Sequence, residues 1–205
     1  MTEILAEHFQ QIGIHPVPIL AKTKREKSGR SFRGGITSYG KVKQDILNLL
    51  RNQNVTALTT MIDFYNLPED FPGKRTLPVG SPYQKVEHLQ RAWYQDINDR
   101  RFIPFITLHE FEALLFTDPA EIKAVFSDLR LQRLRRLVQE VARFNSPEEI
   151  NDGPDTHPAA RIESYVKSYQ KPVHGPLIAK RIGLQQIRRA CTHFNNWIIA
   201  LERLA

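Results

Sequence analysis

A single cysteine, Cys191, stands among 205 residues, which excludes an internal disulfide framework and fits a reducing compartment. No apolar run approaches the ~18 residues that a membrane span needs, and no signal peptide opens the chain. A soluble, cytoplasmic protein without a membrane partner is therefore expected. Walker A spacing is missing, so a nucleoside-triphosphate site of that type is excluded. His109-Glu110 opens like a zinc-peptidase helix, but the second histidine would have to stand at position 113, which is Ala113. Internal repeats and low-complexity tracts are lacking too. Acid is in deficit: 22 Asp and Glu against 29 Lys and Arg leave a formal net charge of +7. Such a surplus favours a polyanionic partner.

What the chain does contain is enough apolar residues for a core (41 %) and two runs that end in acid. Val55 to Ile62 stops at Asp63, and Phe102 to Leu108 stops at His109-Glu110-Phe111-Glu112. β-Branched and aromatic runs between helical patterns read as buried parallel strands. Helical periodicity covers residues 3–12, 39–52 and 83–97, and a short strand is expected over 17–21. The resulting αβαβαβ order predicts a parallel sheet with helices on both faces. Residues 64–82 form a long loop rich in proline and glycine. Beyond Leu108 the periodicity is helical over 110–116, 119–126, 131–144, 158–166 and 193–204, with a short helix after His174. This gives an α/β fold in two parts, a core over 1–116 and a helical C-terminal region over 117–205 packed on it.

Ligands of open α/β sheets bind beyond the carboxyl ends of the strands, so Asp63 and Glu110 are candidate ligands for a divalent cation acting on phosphates. The competing reading of Asp63 is a turn cap. Glu110 and Glu112 are two residues apart: on an extended segment both face the same side, and on a helix starting at His109 they point nearly oppositely. Glu110 is then the ligand and Glu112 a first-turn acid favoured by the helix dipole. Six cations, Lys22, Lys24, Arg25, Lys27, Arg30 and Arg33, occupy a glycine-bearing loop with one glutamate. They could follow a phosphate backbone or form a solvated charge run. His109, His157 and His174 are candidate general bases or phosphate ligands, against the commoner reading of hydrogen-bonded structural histidines. Cys191 is expected to be buried and inert.

Four segments carry a resemblance: Ile62-Asp63-Phe64-Tyr65-Asn66-Leu67-Pro68, Leu108-His109-Glu110-Phe111-Glu112-Ala113-Leu114-Leu115-Phe116, Ile150-Asn151-Asp152-Gly153-Pro154-Asp155-Thr156 and His174-Gly175-Pro176-Leu177-Ile178-Ala179. Together they are similar to a prokaryotic Toprim-like family known only as a domain of unknown function, often encoded beside an ATPase in settings of antiphage defence. The resemblance implies a Toprim-like sheet and a Mg²⁺- or Mn²⁺-dependent nuclease that cleaves DNA or RNA. Asp63 matches the first acid of the second Toprim cluster; Tyr65 stands where another aspartate is usual, so Glu110 would complete the metal set, with Glu112. Relatives begin with a strand and a Val-Glu-Gly-x-Thr-Glu turn, of which Thr2-Glu3 matches the tail. The first strand and its glutamate are therefore expected to be missing, with Glu3 as a partial substitute. Lys74 and Arg75 would join the basic loop in positioning nucleic acid. The implied partners are nucleic acid and an ATPase subunit, and self-association into a homo-oligomer stays open. A catalytically inactive subunit that binds the ATPase or nucleic acid is the alternative, and a metal-dependent phosphatase a third.

Overall fold

The computed structural model describes residues 1–19, 38–65, 67–127, 129–151 and 157–205. The candidate cations Lys22, Lys24, Arg25, Lys27, Arg30 and Arg33 lie outside the described residues. The fold is mixed α/β and mostly helical. It divides into two compact units, one of Ile19–Leu108 and one of Met1–Pro18 with His109–Ala205. The sequence reading drew its line after Phe116. In the structure the first helix groups with the C-terminal helices, because its buried Ile4 and Phe9 and its ion pairs belong there.

In the unit Ile19–Leu108, helix α2 (Tyr39–Leu50) precedes strands β1 (Leu58–Thr59) and β2 (Ile62–Asp63), and helix α3 (Pro82–Ile97) precedes β3 (Phe102–Ile103) and β4 (Ile106–Thr107). β1 pairs with β3 and β2 with β4, both parallel, with Leu58 opposite Phe102 and Asp63 opposite Thr107. The parallel pairing expected from the two apolar runs is present, but each run is split into two short strands. Pro104 lies at the split and has no N–H to give to a ladder. Thr60 spans the gap instead. Its hydroxyl donates to the Phe105 carbonyl (3.2 Å) and accepts from the Phe105 N–H (3.0 Å). The Ile106 N–H is taken by Gln90 Oε1 of α3 at 2.8 Å. The strand expected over 17–21 is not formed at residues 17–19, and 20 and 21 lie outside the described residues.

The core of this unit is aromatic. Tyr39, Phe71, Trp93 and Phe102 meet in successive edge-to-face contacts 5.0 to 5.3 Å apart, a geometry that places ring edges on ring faces. Val86 and Leu89 of α3 and Ile106 of β4 are wholly buried beside them. Arg101 ties the end of α2 to the start of β3. Its guanidinium donates to the carbonyls of Leu50, Asn52 and Val55 and is itself held by Asp99, which satisfies carbonyls that a helix end leaves without partners.

The other unit contains α1 (Thr2–Gln11), a 3₁₀ helix (Phe111–Thr117), α4 (Pro119–Val125), α5 (Leu131–Val141), α6 (Pro158–Tyr165), α7 (Lys171–Ile182), α8 (Leu184–Ala190) and α9 (Thr192–Glu202). Proline at the first helical position starts two of these helices, Pro119 after Asp118, whose side chain caps the helix, and Pro158 after His157. Gly183, at φ 82°, takes the left-handed turn that ends α7 and lets α8 begin. α8 was not predicted. Leu115, Ile122, Ile162, Ile178, Phe194 and Ile198 fill the interior. Glu148, 3 % exposed, accepts the N–H groups of His193 and Phe194 at 2.9 Å each and so caps α9.

Two outcomes follow. Thr60→Val should lower stability by about 1–3 kcal/mol in urea denaturation, since both bonds across the strand gap vanish inside a partly buried pair. Burial pushes the Glu148 carboxyl up to about 7, against the two capping N–H groups, which pull it down. The folded protein therefore holds this proton more tightly than the unfolded chain does. Its stabilisation is complete below about 4.5, the ordinary value, and is lost as the pH rises through about 7. Urea midpoints of the wild type should fall across that window, and those of Glu148→Gln should fall less.

Candidate functional site

The apolar run that forms β4 continues into Leu108 and His109, and the backbone stays extended at Glu110 (φ −134°, ψ 156°) before turning into the 3₁₀ helix. That backbone decides where the acids point. An extended residue followed by a 3₁₀ turn, rather than an α-helix over both, lets Glu110 and Glu112 share one partner. Of the two orientations expected, the opposed one required a helix from His109, and the helix begins at Phe111 instead.

The shared partner is Lys171, the first residue of α7. Its ammonium lies 2.8 Å from Glu110 Oε1 and 3.5 Å from Glu112 Oε2. Glu110 Oε2 accepts from His157 Nδ1 at 2.8 Å and from the Ala159 N–H at 3.0 Å, at the start of α6. The Tyr169 hydroxyl donates to Glu112 Oε1 at 3.3 Å. Both carboxylates are inside, at 4 % and 3 % exposure. Burial pushes the Glu110 carboxyl up, but Lys171, the Ala159 N–H and His157 together hold it below the usual carboxylate range. Burial, then the Glu112 charge, raises the Tyr169 phenol. α7 can approach the 3₁₀ helix because residue 175 is glycine: a Cβ there would sit 3.2 Å from the Phe111 ring and 3.3 Å from the Tyr169 hydroxyl.

Of the three histidines singled out, His157 alone joins these acids. His109 is buried and its Nδ1 faces the Asn151 amide at 3.1 Å. His174 Nδ1 accepts the Gln170 N–H at 2.8 Å, a cap on α7, with its ring packed on Phe126. Glu3 goes elsewhere: it is an exposed residue of α1 paired with Lys180 at 3.5 Å. Cys191 is buried as expected, and burial followed by the Glu148 charge pushes its thiol up to about 12. Lys171 and Tyr169 were missed. Nothing in their spacing signals a partner about sixty residues upstream, because the pairing exists only after α7 folds back on the 3₁₀ helix.

Asp63 belongs to the unit Ile19–Leu108. It closes β2, is half-buried, and accepts from the Thr107 hydroxyl on β4 at 3.2 Å. In the same unit Lys74 lies over the Phe64 ring, 5.5 Å from its centroid, and Arg75 is exposed.

Mg²⁺ takes hard carboxylate oxygens and keeps several waters. Asp63, at a strand end with its orientation fixed by Thr107, fits such a ligand. The Glu110–Glu112 pair fits less well as it stands, because the Lys171 ammonium already occupies the cationic position between the two acids. Among the described residues no group of three or more His, Cys, Asp and Glu side chains is arranged to hold a metal ion. The cluster as found is two buried carboxylates facing one partly exposed ammonium. Removing one member of such a set leaves an uncompensated charge inside. Lys171→Met should therefore lower stability by about 3–5 kcal/mol in urea denaturation, and adding Glu110→Gln should restore part of it.

No curated protein and no solved structure matches the chain. One family model does, and it extends over residues 1–202, so both units and both sets of acids lie within it. The chain belongs to the family described as Domain of unknown function (DUF4276).

Proposed function

We propose that this protein is a Toprim-like, Mg²⁺- or Mn²⁺-dependent nuclease, hydrolysing phosphodiester bonds of DNA or RNA as the cytoplasmic effector of an ATPase in antiphage defence. The observation that carries this reading is the place of Asp63: it ends one strand of a parallel pair, where α/β sheets gather their ligands. The surplus of positive charge and the four motifs resembling Toprim-like proteins support it. A bound metal would lower the pKa of a water and offset charge developing on phosphorus. Asp63 is the residue that would hold it, oriented by Thr107, while Lys74 and Arg75 position the phosphate backbone.

A second reading, a non-catalytic subunit docking on the ATPase or on nucleic acid, is favoured by Lys171, which already stands in the cationic position between Glu110 and Glu112. Cleavage of labelled DNA and RNA with Mg²⁺ or Mn²⁺, with and without the neighbouring ATPase, separates the two. Wild type should cut, and Asp63→Asn should be slower by about a hundredfold or more, as loss of several kcal/mol of transition-state stabilisation requires. Equal rates would remove Asp63 from the reaction. No cutting by wild type, with the ATPase retained on purification, would select the second reading.

A further inference from the structure

Helix α5 carries a surface that neither the acids nor the basic loop accounts for. Between residues 130 and 143 stand Arg130, Arg133, Arg135, Arg136 and Arg143, all exposed. The single acid of the helix, Glu140, is partly exposed and accepts from Arg161 Nη1 at 2.8 Å and from the Tyr165 hydroxyl. Arg133 donates to the Tyr165 carbonyl at the end of α6, at 3.3 Å. Arg130, Arg135, Arg136 and Arg143 have no acidic partner among the described residues.

The helix sorts its residues in part, with Leu131 and Val138 left exposed. Leu137 is wholly buried, and Leu134 and Val141 are partly buried on the same side. At 100° per residue, Arg135, Arg136, Gln132 and Gln139 fall on the opposite side, and Arg143 follows just past the end. Arg130 and Arg133, and Arg133 and Arg136, stand one turn apart and repel by a few tenths of a kcal/mol per pair, which a bound polyanion relieves. The helix is about 16 Å long, and a nucleic-acid strand places one phosphate every ~3.4 Å along a duplex axis. Guanidinium groups spread over that length meet several phosphates, each with paired donors suited to them. An anionic membrane fits less well, because an interfacial helix inserts a whole apolar face and α5 exposes only Leu131 and Val138, with Leu137 wholly buried.

We infer that the outer face of α5, through Arg135, Arg136 and Arg143 with Arg130 at its start, docks the sugar-phosphate backbone of nucleic acid. The inference rests on the nucleic-acid partner of the proposed function but needs no cleavage. It is tested by fluorescence anisotropy of the full chain with labelled duplex and single-stranded oligonucleotides in EDTA, across a salt series. The variant Arg135→Gln/Arg136→Gln/Arg143→Gln should bind about tenfold or more weakly, with a salt slope shallower by about 2–3. The matching triple lysine variant should keep most of the wild-type slope, and far-UV circular dichroism should show both variants folded. Unchanged affinity and slope in the folded glutamine variant would overturn the inference, even if the protein is a nuclease. Arginine-dependent binding to phosphatidylserine vesicles, with none to nucleic acid, would overturn it too. Arginine-dependent nucleic-acid binding without cleavage would uphold it while the nuclease reading falls.

Discussion

Two glutamates at 3–4 % exposure face one cation, the ammonium of Lys171. Desolvation of a carboxylate costs several kcal/mol, and a single well-placed cation with added N–H donors offsets it. The requirement reaches outward from the pair. Lys171 begins α7, so α7 must start beside the 3₁₀ helix. His157 and the Ala159 N–H begin α6, so that helix must start there as well. Gly175 keeps the approach open, since any side chain at that position meets Phe111 and Tyr169. Three elements are thus oriented by one buried charge.

Elsewhere charge is handled in the opposite manner. Acids inside the helical unit are matched one by one: Glu140 by Arg161 and Tyr165, Glu148 by the N–H groups that open α9, Glu202 by Arg188 and His8. Surplus cations remain outside, and on α5 they are gathered on one side. The net charge of +7 is therefore less a uniform coat than a residue of interior pairing. In the unit Ile19–Leu108 the same division holds on a smaller scale, with Asp63 held by a neutral hydroxyl and Lys74 resting on an aromatic ring.

Much of the fold was legible because periodicity reports local burial. The helices over Thr2–Gln11, Pro82–Ile97 and Thr192–Glu202 were expected within a residue or two, since their apolar spacing and caps are local. The parallel pairing of the two apolar runs was legible for the same reason. The split at Pro104 could have been anticipated, because a missing N–H is a property of the residue itself. The rescue by Thr60 could not, because it depends on which residue lies across the gap. His157, His174 and His109 looked alike in sequence, each near a helix start. Tertiary contacts gave them three different partners: a carboxylate, a backbone N–H and an amide.

The sequence by itself determined where helices and strands begin, that the interior is large enough to hold charged groups, and that the surplus charge is positive. Those are sums and spacings, and a chain carries them before it folds. Only the tertiary structure decided that Glu110 and Glu112 share Lys171, that Glu3 faces Lys180, and that Glu140 of α5 pairs with Arg161 of α6. Each of these is a relation between residues distant in the chain. Electrostatic energy depends on separation and burial, which sequence spacing does not fix.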